Sequence, residues 1–343
     1  MNRFYIDEHG IRRPLKLSQR RAKPRRRPHK TIPKKVGIVC YGALGDTILH
    51  YYRKGSVFGY IKAFKEKYPG RTIKVVCCSS NAQTSELFKE NPYIDEVVHA
   101  PWATTKQRQR NDNIKKALHG YTNFEIGRPL PGAGWQEPQI YLDTKDKAFV
   151  DKIIQQGKYI LVHPFASYPG VPLQAEEYPE LIDTMIDELG YNVVVVGATY
   201  KRVFQEADLH KEEVFNYERK KLFNLVNKTN VRVAVRLARN AHGYLGTWSA
   251  FYCASWACPA GPMVFCTPNK ASTVDLINKK RFPGAKYRKI FVPPIVQPIL
   301  SQKDTTKNDK KGWQKKTKEV ERERKKRRER IKKDIVQHLK KNG

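Results

Sequence analysis

The chain has 343 residues, 66 Lys and Arg against 33 Asp and Glu, and a formal charge of +33. Hydrophobic residues make up 40% of it, enough to bury a core in each of the two domains this length allows. A wholly disordered basic protein is therefore excluded, and no ordinary metabolic enzyme needs so much positive charge. No run of 18 uncharged apolar residues occurs and no apolar stretch precedes the first basic cluster. That pattern predicts neither a membrane span nor a secretory signal, and hence a soluble, cytoplasmic protein.

In chain order, residues 1–36 carry thirteen Lys and Arg against two Asp and Glu. Pro24 and Pro28 bracket Arg25, Arg26 and Arg27, so like-charge repulsion and blocked hydrogen bonding predict a disordered basic arm over residues 1–35. Residues 36–41 form a short apolar strand that ends in the turn Gly42-Ala43-Leu44-Gly45-Asp46, with helical character from there to residue 67. After the break at Pro69-Gly70, residues 73–78 read as a second buried strand, 85–90 as a helix and 96–99 as a third strand. Residues 104–138 are polar and read as irregular. The pattern restarts with a helix over 145–156, a strand over 159–163, a helix over 178–189 and a strand over 193–197. Further on come a short helix over 222–227, a strand at 243–246, a helix over 249–257 and a strand over 263–266. This alternation predicts an α/β protein of two Rossmann-like halves, residues 36–144 and 145–302, facing a cleft at the carboxyl ends of their strands.

Residues 303–343 hold eighteen Lys and Arg against seven Asp and Glu. Lacking Pro after 303 and mixing Glu with Lys and Arg at helical spacings, they predict a long exposed basic helix. Two cationic extensions on a cationic body suit a polyanion, whose counterions are released as its phosphates are neutralised. Nucleic acid leads the candidates; anionic lipid and a ribosomal surface are the others. Six cysteines, Cys40, Cys77, Cys78, Cys253, Cys258 and Cys266, lie in apolar runs with no CxxC pair, which predicts reduced core residues and no metal site.

Several segments bear chemistry. The turn GALGD is either a ligand loop or a close helix–strand packing turn. Asp46, in the first helical turn after a parallel strand, is either a cleft carboxylate or a charge that complements the helix dipole. Tyr41, Trp102 and Trp135 are either core aromatics or platforms for a base. Arg108, Arg110, Lys115 and Lys116 either meet phosphates or face solvent, and the same two readings hold for Lys325, Lys326, Arg327 and Arg328 near the C-terminus.

Five ordered segments carry a resemblance to a known family: VGIVCYGALGDTIL, NPYIDEVV, YILVHPFAS, GYNVVVVGAT and YLGTWSAFYCASWACPAGPMVFC. Together they resemble glycosyltransferase family 9, the lipopolysaccharide heptosyltransferases of GT-B fold. The resemblance covers residues 36 to 270 and leaves out both tails. It implies inverting transfer of a sugar from a nucleotide-diphosphate donor to a hydroxyl, with no metal cofactor. Asp46 matches the family's general base and, with Gly42, Gly45 and Tyr41, would form the acceptor loop. His163, Ala166, Ser167, Thr199, Lys201, Arg202, Thr247, Ser249 and Ala250 fall on donor-side positions. The chain departs from the family on the donor helix, where Thr247, Trp248, Ala250 and Cys253 replace its usual acidic and His residues. It also lacks the lysine after the HPFAS turn. With the charge distribution, the resemblance predicts transfer to a hydroxymethylated base in duplex DNA, the work of a viral enzyme in host cytoplasm. The alternatives are a transferase acting on lipopolysaccharide or another anionic glycan, and a non-catalytic nucleic-acid-binding protein on the same fold.

Overall fold

The computed structural model describes residues 4–6, 12–14, 32–41, 44–49, 57–79, 83–101, 107–123, 139–164, 177–197, 215–247, 251, 254, 263–267, 287–291 and 310–342. The chain divides into two compact units at Lys34 and Lys35. In the first, β1 (Phe4–Ile6) pairs antiparallel with β2 (Arg12–Pro14). The expected arm thus begins with a hairpin, because Phe4, Tyr5 and Ile6 are strand formers and the prolines and arginines that suggested disorder come later, at residues 24–28.

The second unit contains two all-parallel sheets. The first is built from β3 (Lys35–Tyr41), β4 (Thr72–Ser79), β5 (Glu96–Pro101) and β6 (Thr122–Asn123), in the order β5-β4-β3-β6. Between them run α1 (Leu44–Leu49), α2 (Val57–Lys67), α3 (Gln83–Glu86) and α4 (Gln107–Ala117). β3 and β4 are buried along nearly their whole length, as expected of parallel strands covered on both faces. On one face Val39, Val76 and Cys78 pack against Ile114 and Leu118, at and just beyond the end of α4. Gly37 permits that approach, since a Cβ there would collide with the Leu118 side chain. The segment expected to be irregular therefore holds a helix and a strand. Its composition hides them: α4 is polar apart from the residues that anchor it.

The amino end of this sheet is bolted by polar contacts. Asp95 accepts from the Ile73 amide at 2.7 Å and from Lys65 at 2.8 Å, while the Asn91 side chain accepts from the Tyr93 amide at 3.0 Å. Lys74, almost fully buried, meets Glu96 at 2.9 Å and lies 4.3 Å from the Tyr121 ring centroid. These groups explain the NPYIDEVV segment: its Asn makes a side-chain turn and its Asp clamps β4 to α2.

The second sheet is built from β7 (Tyr159–His163), β8 (Asn192–Val195), β9 (Leu222–Asn224), β10 (Gly243–Thr247), β11 (Met263–Thr267) and β12 (Tyr287–Phe291), in the order β12-β11-β10-β7-β8-β9. Its helices include α5 (Thr144–Ile154), α6 (Tyr178–Asp187) and α7 (Val231–Asn240). The stretch 222–227, expected as a helix, supplies β9, whose Val193–Leu222 register adds it beside β8. Neither α7 nor the edge strand β12 was anticipated. Asn230 caps α7 by accepting from the Val233 amide at 3.0 Å, and Asp143 caps α5 in the same way. The two caps are joined, since Asn230 donates to Asp146 at 2.7 Å and the buried Arg232 reaches Asp143, Asp146 and the Tyr141 carbonyl.

The last helix, α8 (Lys310–Asn342), is not an exposed tail along its whole length. Ile331, Ile335 and Leu339 are buried in one cluster with Leu181, Ile182 and Met185 of α6. Arg328 approaches Glu180 at 3.4 Å and Lys332 approaches Glu188 at 3.4 Å. Burying three such side chains stabilises the docked state by roughly 1.5–3 kcal/mol each, far more than two half-exposed ion pairs contribute. Among the described residues no helix is long and apolar enough to cross a membrane.

Candidate functional site

An open parallel sheet binds ligands where its strand order reverses, at the carboxyl ends of the two strands between which the chain changes direction. In the first sheet the chain moves outward from β3 to β4 and β5, then returns to place β6 on the other side of β3. The reversal lies beside β3. Asp46 is the third residue of α1, the helix that follows β3, so the backbone places it at this reversal. Gly45 precedes it in the same turn of helix. Tyr41 ends β3 and is half-buried against the cluster of Val39, Cys78 and Ile114, which favours its packing role.

In the second sheet the chain runs from β7 outward through β8 to β9 and then restarts on the other side of β7 with β10, β11 and β12. Counted in chain order this is 3-2-1-4-5-6, the arrangement of dinucleotide-binding sheets. Its reversal lies between β7 and β10, whose carboxyl ends are His163 and Thr247. His163 sits opposite Gly246 in the parallel register. A Cβ at Gly246 would lie 2.7 Å from the His163 carbonyl oxygen, so only glycine fits there. The His163 ring packs edge-on against Phe251 with centroids 4.7 Å apart. Burial pushes the imidazole down to about 3, which keeps it neutral at ordinary pH. A neutral ring offers one donor and one acceptor nitrogen.

Of the other expected site residues, Gly42, Ala166, Ser167, Thr199, Lys201, Arg202, Ser249, Ala250 and Arg25 to Arg27 lie outside the described residues, as do Trp102 and Trp135. Arg108 and Arg110 are in the first turn of α4, which follows the carboxyl end of β5. Lys115 and Lys116 are exposed in its last turn, beside Ala117, whose carbonyl accepts from Lys74. That end of α4 lies at the amino end of the sheet, away from Asp46. On α8, Lys325 and Lys326 are exposed, Arg327 lies between them and Arg328, and Arg328 is turned to Glu180.

Cys40, Cys77 and Cys78 are buried thiols outside any disulfide, as expected, and burial pushes the Cys40 and Cys77 thiols up, leaving those two poor nucleophiles. The remaining three cysteines have no described side chains. Among the described residues, no three or more His, Cys, Asp or Glu side chains converge as metal ligands.

What fold and site define is thus a parallel α/β protein with a reversal point in each of two sheets. No protein-family model matches the sequence, and no curated protein matches it. Solved structures do. A family 9 glycosyl transferase from Veillonella parvula is similar at 11% identity and TM-score 0.47, over 68% of this chain and 82% of that one. The ADP-heptose lipopolysaccharide heptosyltransferase II of E. coli is similar at 15% identity and TM-score 0.46, over 75% and 90%. The E. coli heptosyltransferase WaaC, solved with ADP, is similar at 12% identity and TM-score 0.43, over 83% and 98%.

Proposed function

We propose that this chain is a GT-B glycosyltransferase of the family 9 type, moving a sugar from a nucleotide-diphosphate donor to an acceptor hydroxyl with inversion. The observation that carries the reading is positional. The residues that resemble the family's acceptor loop and donor turn, Asp46 and His163 with Thr247, fall at the reversal points of the two sheets.

A hydroxyl is a poor nucleophile at neutral pH, so Asp46 takes its proton as the oxygen attacks the anomeric carbon. The new glycosidic bond forms on the face opposite the leaving group. The bond from that carbon to the diphosphate oxygen breaks, and the nucleoside diphosphate departs with the electron pair. On the donor side Gly246 lets the Tyr244 hydroxyl and the His163 carbonyl crowd the end of β10, and the neutral His163 holds the end of β7 without adding charge. Ala166, Ser167, Ser249 and Ala250 would offer amides to the phosphates, Thr199 and Thr247 hydroxyls, and Lys201 and Arg202 charge.

The acceptor we favour is a hydroxymethylated base in duplex DNA, because basic extensions at both ends suit an enzyme that follows a phosphate backbone and extrudes its target. A phosphorylated glycan is the second reading, supported by the sequence resemblance. A screen of purified protein with several nucleotide sugars decides, using hydroxymethylated DNA, unmodified DNA and a phosphorylated glycolipid as acceptors. A hexose or heptose mass increment on modified DNA alone is expected. Increment on the glycolipid alone selects the second reading, and no turnover of any donor overturns sugar transfer.

A further inference from the structure

We propose that the outward face of α8 is a contact surface for the phosphate backbone of duplex nucleic acid. It rests on the polyanion reading above but not on its chemistry. The helix sorts its cations. Arg328 and Lys332 are turned to Glu180 and Glu188 of α6, on the side where Ile331, Ile335 and Leu339 are buried. Arg322, Lys326, Arg330 and Lys333 are exposed. At 100° per residue these four fall within one quadrant of the helix, opposite the buried stripe. Of three exposed acids, Glu319 falls in the same quadrant and Glu323 and Glu329 border it, and Glu323 meets Lys326 at 3.1 Å, so cations outnumber acids on this face without excluding them.

Docking makes this face a fixed one. From Arg322 to Lys333 the helix rises about 16 Å at 1.5 Å per residue, against about 3.4 Å per phosphate along one strand of B-DNA. The four cations therefore span about the length of five phosphates of one strand. A bilayer fits poorly, because an interfacial helix needs its apolar face for lipid and here that face is buried on α6. Single strands fit poorly too, since among the described outward residues no aromatic ring offers a stacking platform.

The test is fluorescence anisotropy of a labelled 30-base-pair duplex with full-length protein, without donor, from 50 to 300 mM salt. One variant carries Arg322→Gln, Lys326→Gln, Arg330→Gln and Lys333→Gln. Its control loses the same charge elsewhere, through Lys145→Gln, Lys147→Gln, Lys152→Gln and Lys158→Gln, all exposed in the structure. The α8 variant is expected to bind at least tenfold more weakly at 100 mM salt, with a slope of log affinity against log salt shallower by about 2 to 4. If its melting temperature falls, Lys333→Gln alone decides, with a slope change of about 0.9 expected. An unchanged slope, an equal loss in the control, or wild-type binding to phosphatidylserine vesicles but not to duplex overturns the proposal. Because no donor is present, a protein without transferase activity still passes or fails, and the two readings are separated.

Discussion

Asp46 and His163 stand at the reversal points of the two sheets, and each has its own test. Replacing a general base removes proton transfer from the transition state, so Asp46→Ala is expected to lower kcat by about 10²- to 10⁴-fold while donor affinity stays close to wild type. Calorimetry with the nucleoside diphosphate beside a turnover assay checks both halves; equal turnover in the variant removes Asp46 from the mechanism. His163 gives a pH prediction instead. Its folded value, about 3, lies below the ordinary 6.5. Between those two values the unfolded chain binds the additional proton, so this group costs stability progressively as pH falls from 6.5 towards 3, by at most about 1.4 kcal/mol per pH unit. The urea midpoint of wild type should therefore drop more between pH 7 and pH 5 than that of His163→Gln. Parallel drops would mean that His163 is not held neutral.

Individual elements were legible in proportion to how much of their signal is their own. β3, β4, β7 and β8 are buried on both faces and announce themselves as apolar runs. α7 does not, because Val231, Val233 and Val235 alternate with other residues as a strand would, and only the Asn230 cap and the surrounding packing select helix. β12 is an edge strand with two cations in five residues, so nothing in its sequence marks burial. α8 looked free because its three apolar anchors are diluted among charges. The places of Asp46, His163 and Thr247 at a helix start and two strand ends were legible because apolar runs and glycine turns mark them, whereas the tie between Arg232 and the α5 cap depends on contacts distant in sequence. Two measurements follow at this scale. Ile335→Ala should cost about 2–5 kcal/mol in urea denaturation, against under about 1 kcal/mol for Arg328→Ala at its half-exposed pair. Asn230→Ala, which removes the α7 cap, should cost about 1 kcal/mol.

For the whole molecule, charge and stability are distributed differently at the two ends of the chain. Residues 1–34 form their own compact unit, so deleting them should lower the salt dependence of polyanion binding and leave the melting temperature of the remainder within a degree or two. Deleting residues 310–343 removes a comparable charge but also uncovers the α6 face, so the melting temperature should fall steeply. Thermal melts of both truncations check this; equal melts would mean that α8 contributes nothing to the second core.

The docking of α8 on α6 also bears on how the chain reaches this fold. Arg328 and Glu180 are far apart in sequence, so their meeting closes a long loop and yields its reward only after β7, β8 and α6 have assembled. Losing side chains that join after the folding transition state speeds escape from the native basin rather than slowing entry. The terminal helix thus acts as a clasp on a finished body. Its grip governs how long each molecule stays folded, and a backbone laid across its outer face would lengthen that time.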